Sequence, residues 1–215
     1  MDSHGEYYDE ITGKHLIKSE VIEARLEEMQ QFAKHQVYTK VPIQQCYDRT
    51  GKSPIKVRWI DINKGDEDNR EYRSRLVAKE IKTDKRLDLF AATPPLEAKK
   101  LLFSFAVTEG IGYQSNEWRS GKKIDFIDIK RAYFQADSIR EVYVELPNED
   151  ATPGMCGLLG KSMYGTRDAA QNWGEAYMGF MKSIGFEQGT GSPCVFHHPR
   201  SDLTCVIHGD DFTVF

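Results

Sequence analysis

Asp210 and Asp211 stand side by side in Ile207-His208-Gly209-Asp210-Asp211-Phe212, between two short apolar runs near the C-terminus. The pattern reads as a β-hairpin whose tip presents adjacent carboxylates. Carboxylates suit one kind of chemistry well, because their hard oxygens hold divalent cations, and two such cations about 4 Å apart serve phosphoryl transfer. Aspartate and glycine are also ordinary turn formers, so the pair gains meaning only if a third carboxylate joins it. Asp128, at the end of the apolar strand Phe126-Ile127-Asp128-Ile129, is the candidate. A carboxylate there is costly to bury unless paired or metal-bound, whereas a strand-end turn or a helix cap explains it without chemistry.

Two other clusters look chemical and are not. Gly154-Met155-Cys156-Gly157-Leu158-Leu159-Gly160-Lys161-Ser162 resembles a phosphate-binding loop, but five residues separate Gly154 from Gly160 where the motif needs four. A phosphate-loop NTPase would also need a parallel sheet, so a glycine-rich turn into a strand is the better reading. Cys194-x-x-His197 and Cys205-x-x-His208 offer four zinc ligands at regular spacing. On strands, positions three apart point to opposite faces, which makes these core cysteines and surface histidines.

The elements that must position the aspartates follow from periodicity. Residues 19–37 form an amphipathic helix with Ile22, Leu26, Met29, Ala33 and Val37 on its buried face. Residues 56–63 and 70–79 are strands joined by the turn-rich Gly65-Asp66-Glu67-Asp68-Asn69, a hairpin with basic arms. Thr93 caps a helix that starts at Pro94-Pro95, buries Leu101, Leu102, Phe105 and Ala106, and stops at Gly110. Residues 123–129 and 141–146 are strands, residues 167–184 a second long helix ended by Gly185, and residues 194–197 and 203–215 further strands. Strands and helices in this order give an α+β fold, with helices against a largely antiparallel sheet.

Composition bounds the class. A chain of 215 residues with 40% hydrophobic and 29% charged residues buries a real core, and its four cysteines are too scattered for a disulfide framework. No apolar run is long enough for a membrane helix, and Met1-Asp2-Ser3-His4-Gly5-Glu6 does not begin a signal peptide, so an intracellular protein without a membrane partner is expected. Cytoplasm and nucleus are not distinguished. The net charge is −4, yet Lys52 to Arg86 holds eleven Lys or Arg against seven Asp or Glu, a local basic patch.

Taken in order, the segments resemble the reverse transcriptase domain of copia-type long-terminal-repeat retrotransposons. Tyr72-Arg73-Ser74-Arg75-Leu76-Val77-Ala78-Lys79 is similar to the family's YKARLVAKG, and Phe90-Ala91-Ala92 to TFAPV. Asp128-Ile129-Lys130-Arg131-Ala132-Tyr133 resembles DVKTAF, and the run from Ser162 to Trp173 resembles SLYGLKQAPRAW. His208-Gly209-Asp210-Asp211 stands where the family has YVDD. Five motifs in one order carry the resemblance, where one alone is weak.

The resemblance implies an RNA-directed DNA polymerase of right-hand form, part of a retrotransposon polyprotein. It implies an N-terminal segment and helix at 1–40, a fingers-like part at 41–110 and an incomplete palm-like part at 111–215, with an antiparallel palm sheet backed by helices. Asp128, Asp210 and Asp211 map onto carboxylates that hold two Mg²⁺ ions, or Mn²⁺ in their place. Arg75 and Lys79 map near the triphosphate of an incoming deoxynucleoside triphosphate, Arg73 near template phosphates, and Tyr133 near the sugar 2′ position, where its ring would exclude ribonucleotides. The partners implied are an RNA or DNA template with its primer. The chain reaches Phe215 inside the strand after the aspartates, so the rest of the palm, the thumb and any ribonuclease H domain are expected to be missing, with weak or no activity. An inactive or co-opted fragment that only binds nucleic acid is the competing reading. The departures are His208 and Gly209 for Tyr and Val of YVDD, Asp168 for Gln, and Ala170 and Gln171 for Pro and Arg. The negative charge of Asp168 is expected to weaken nucleotide or template binding.

Overall fold

The computed structural model describes residues 5–81, 89–115 and 121–215. Lys82, Lys85 and Arg86 of the basic stretch and the first four residues lie outside them. In chain order come β1 (Tyr7–Tyr8), β2 (His15–Leu16), α1 (Lys18–Lys34), β3 (Tyr38–Pro42), α2 (Ile43–Thr50), β4 (Val57–Asn63) and β5 (Tyr72–Ala78). There follow α3 (Leu96–Ala106), β6 (Asp125–Asp128), β7 (Tyr143–Val144), β8 (Met155–Leu159), α4 (Ala169–Ser183), β9 (Glu187–Gln188), β10 (Val195–His198), β11 (Leu203–His208) and β12 (Asp211–Val214). Every ladder between these strands is antiparallel, as expected of the α+β class. The chain divides into two compact units, Met1–Arg86 with Tyr133–Ala169, and Leu87–Ala132 with Ala170–Phe215. The first unit is closed by β3, near the N-terminus, which pairs with β8 far along the chain.

In the first unit, β3, β8 and β7 make one sheet in the order β3-β8-β7, and β4 pairs with β5 along its whole length. Phe32 of α1, Val37 just beyond it, Leu76 of β5, Phe134, Val144 and Met163 form its core. The buried face of α1 differs from the expected stripe. Val21, Glu28 and Phe32 are inside, whereas Ile22 and Leu26 are exposed. The cause is a charge that apolar periodicity does not register. Arg25 on the inner face donates from Nε and Nη2 to the two carboxylate oxygens of buried Asp61 on β4, at 3.2 and 2.5 Å, and its guanidinium lies over the rings of Tyr7 and Trp59. Burial opposes that charge, but the carboxylates of Asp61 and Glu149 hold the guanidinium above its ordinary value.

The loop after β8 is fixed by contact with β5. Ala78 N–H donates to Tyr164 O at 2.8 Å, and Gly165 follows with φ +85°. A Cβ on Gly165 would lie 2.0 Å from Ala78 O, so only glycine lets the chain pass there.

The second unit is built on a five-stranded sheet, β6-β12-β11-β10-β9, with β6 at one edge. Residues paired directly across antiparallel strands share a face, which assigns the layers. Phe126, Thr213 and Val206 lie on one face, against α3: Leu102 packs with Val206 and Phe215, and Phe103 lies 6.2 Å from Phe126, ring to ring. Ile127, Phe212 and Ile207 lie on the other, against α4, where Trp173 and Tyr177 meet the edges of Phe212 and Phe196. The α3 helix differs from expectation at its cap and on its buried face. Pro95 is its cap and no side chain completes it, so Thr93 does not serve, and Leu101 is exposed while Leu102 is buried. Among the described residues, no helix is long and apolar enough to cross a membrane.

Candidate metal centre

The β11–β12 hairpin closes on a two-residue turn. His208 pairs with Asp211, leaving Gly209 and Asp210 as the loop. Gly209 has φ +65° and Asp210 does not share the left-handed region, the pattern of a type II′ turn with glycine first. Its twist matches that of the flanking strands, which is why the sequence turns here. Asp211 then pairs across its other side with Asp128 on β6. Asp211, Asp128 and His208 therefore project from the same face.

Asp210 joins them from the turn. One carboxylate oxygen from each of Asp128, Asp210 and Asp211 lies within 4.8 Å of the other two. Asp128 and Asp211 are exposed and Asp210 is half-buried, so the group opens to solvent. The peptide carrying Asp210 is held from two sides: Ile129 N–H donates to Asp210 O at 2.9 Å, and the indole Nε1–H of Trp173 donates to Gly209 O at 2.8 Å. Three carboxylates at this spacing repel one another, and a divalent cation among them relieves the repulsion. A donor set of carboxylate oxygens alone suits hard cations such as Mg²⁺ or Mn²⁺ rather than zinc or copper.

The other expected site residues belong to the first unit. Arg75 and Arg73 share the outer face of β5, opposite the buried Ser74, Leu76 and Ala78. The Arg75 guanidinium lies 5.0 Å from the ring centre of Tyr164, and the Tyr133 ring lies 4.6 Å from the same ring. Tyr164 thus touches both Arg75 and Tyr133, whose ring is tilted 45° to its own. Lys79 follows β5, exposed, with its N–H on Lys56 O at 2.7 Å.

Asp168 is not the bare charge expected from its place in the motif. It is buried, and Arg140 donates to its two oxygens from Nε and Nη2 at 2.9 and 3.0 Å. Nη2 of Arg140 also reaches Glu80 at 2.5 Å, and the Arg167 N–H donates to the same Glu80 oxygen at 2.8 Å. The charge of Asp168 is therefore spent within the fold. Burial opposes the charge of Arg140, and the two carboxylates raise its pKa despite it.

Tyr164, Trp173 and Arg140 were not singled out by the sequence. Tyr164 and Trp173 sat in a recognised motif, but only their folded neighbours reveal what they touch, and Arg140 carried no signal at all. The two decoys fall as expected. Met155–Leu159 is a strand entered from Gly154, whose φ is +72°. Cys194 and Cys205 are fully buried while His197 and His208 are exposed, and burial pushes the Cys205 thiol up to about 12.

Comparison with known proteins gives the same direction. The family described as reverse transcriptase (RNA-dependent DNA polymerase) matches residues 38–214. The retrovirus-related Pol polyprotein from transposon TNT 1-94 of Nicotiana tabacum is 26% identical over 201 residues, 90% of this chain and 14% of the relative. The transposon Ty1-MR1 Gag-Pol polyprotein of Saccharomyces cerevisiae is 32% identical over 90 residues, 41% of this chain and 5% of the relative. The chain thus spans a small part of the length of these polyproteins. With the motif order, the antiparallel architecture and the acidic group in agreement, the chain belongs to the reverse transcriptase (RNA-dependent DNA polymerase) family, on its copia-type retrotransposon branch.

Proposed function

We propose that this chain is the fingers and palm portion of an RNA-directed DNA polymerase from a retrotransposon polyprotein, transferring nucleotides from deoxynucleoside triphosphates to a primer 3′-hydroxyl on an RNA or DNA template. The observation that carries the proposal is the group of Asp128, Asp210 and Asp211, drawn from an edge strand and a hairpin and within 4.8 Å of one another. In this reading the five-stranded sheet is the palm, and the β4–β5 hairpin is part of the fingers.

Asp128, Asp210 and Asp211 would hold two Mg²⁺ ions, with Mn²⁺ as a substitute. When bound, the cations supply positive charge that eases deprotonation of the primer 3′-hydroxyl and offsets charge on the departing pyrophosphate. The chain's own residues do the rest. Arg75, its guanidinium oriented by the Tyr164 ring, and Lys79 neutralise triphosphate oxygens. Arg73, on the same strand face, meets template phosphate. Tyr133, packed on Tyr164, closes the space beside the sugar 2′ carbon and so disfavours ribonucleotides.

Primer extension on a homopolymer template with Mg²⁺, comparing the wild type with Asp128→Ala, tests the assignment. Metal-dependent synthesis lost in the variant supports it. Nucleic-acid binding without synthesis in the wild type would instead make the chain a binding module.

A further inference from the structure

The Gly209–Asp210 turn has two low-energy forms. Type II′ keeps φ positive at the first loop residue alone, and type I′ makes it positive at both. They interconvert by a flip of the peptide that joins the two residues. Glycine at the first position accepts either form, and aspartate tolerates the left-handed region better than most residues. The sequence Gly-Asp is therefore permissive, and a flip, which turns over the peptide plane while leaving both Cα atoms nearly in place, would free the turn from any donor that holds the Gly209 carbonyl.

The structure adopts the first form, with φ +65° at Gly209 and Asp210 outside the left-handed region. The carbonyl that a flip would reverse is Gly209 O, which accepts the Trp173 indole N–H at 2.8 Å. In a two-residue hairpin loop that carbonyl usually points to water. Here its donor comes from a side chain only 8% exposed, wedged edge-on against Tyr177 at 5.6 Å and Phe212 at 6.4 Å between ring centres. The indole cannot follow a flipped peptide, and a buried N–H left without its acceptor is costly. The second carbonyl of the turn, Asp210 O, is tied to Ile129 N–H one residue past Asp128.

We propose that Trp173 is a positioning residue for the metal centre: its indole N–H anchors the Gly209 carbonyl and so fixes the hairpin tip that carries the Asp210 carboxylate beside Asp128 and Asp211. The inference rests on the metal-binding role given to those aspartates. Trp173 touches neither metal nor substrate and acts through one main-chain carbonyl.

Mn²⁺ binding to the 215-residue chain, read by loss of the free-ion electron paramagnetic resonance signal, tests it without relying on activity. Trp173→Phe keeps a ring and removes the donor, and is expected to bind Mn²⁺ about tenfold more weakly, in the range found when an outer partner of a metal ligand is removed. Replacing Trp173 by its benzothienyl isostere, in which sulfur stands for the N–H, gives the same loss with the shape retained and decides the matter if the phenylalanine variant does not fold. In the wild type, the Trp173 indole ¹⁵N–¹H resonance should exchange slowly with solvent and shift when the diamagnetic ion Mg²⁺ is added. Undiminished Mn²⁺ affinity in a folded isostere variant overturns the positioning role and leaves the metal centre standing. Absence of Mn²⁺ binding in the wild type overturns the metal centre and this inference with it.

Discussion

Asp128 and Asp211 lie directly opposite one another on adjacent antiparallel strands, so their carboxylates leave the sheet on the same side. Asp125, three residues earlier on β6 and equally exposed, leaves on the other side, opposite Val214. The two aspartates of one short strand thus make a built-in comparison. Asp128→Asn is expected to weaken Mn²⁺ binding at least about tenfold, and Asp125→Asn to change it less than about twofold. Equal losses from both would show general surface charge at work rather than a centre.

Asp168→Gln restores the residue typical of the family motif and removes the bidentate partner of Arg140. Because Arg140 keeps Glu80 and is partly exposed, the loss is expected to be about 2 kcal/mol, below that of a fully buried pair. Urea unfolding of Asp168→Gln, Arg140→Gln and the double variant checks it, the double losing less than the sum of the singles.

Asp9 gives the stability a pH dependence. N–H groups of Asn63 and Thr12 donate to its carboxylate at 2.7 Å each and lower its pKa below the ordinary 3.8; burial opposes the shift, and the Ile11 N–H adds to it. The folded carboxyl sheds its proton more readily than the unfolded one, so its stabilisation is present above pH 3.8 and is lost as pH falls through the lowered folded value. Asp9→Asn should cost about 1–3 kcal/mol at neutral pH. In acid the gap between wild type and variant should close, and a gap that stays constant would rule out the carboxylate as its source.

The four cysteines are free and buried, and burial raises the thiols of Cys156, Cys194 and Cys205. A disulfide exchange reagent at pH 8 should therefore titrate the native chain slowly and the urea-unfolded chain at once. Fast labelling of the native chain would show that these sites open readily.

The sequence made the strands β4 and β5, the helices α1 and α4 and the three aspartates legible, because each is written in a local period or a short motif. It did not reveal α2 or β3, the one a short helix with little apolar pattern and the other a strand that relies on pairing with a distant segment. Nor did it reveal which face of α1 turns inward. Ile22 and Leu26 make the better apolar stripe, but Arg25 has a buried partner in Asp61, and a charge pair leaves no trace in hydrophobic periodicity. At the centre itself the carboxylates were visible and the Trp173 contact was not, since a side chain bonded to a distant carbonyl has no sequence signature.

The edge position of β6 gives the acidic group a mechanical meaning. An outermost strand is held along one side only, and all four residues of β6 are exposed. A cation gripped by Asp128 on that strand and by Asp210 and Asp211 on the hairpin would act as a clasp, tying the margin of the sheet to its interior. Ligand and strand then stabilise each other by mass action, and the loosest rung of the ladder becomes the one most tightened when the centre fills.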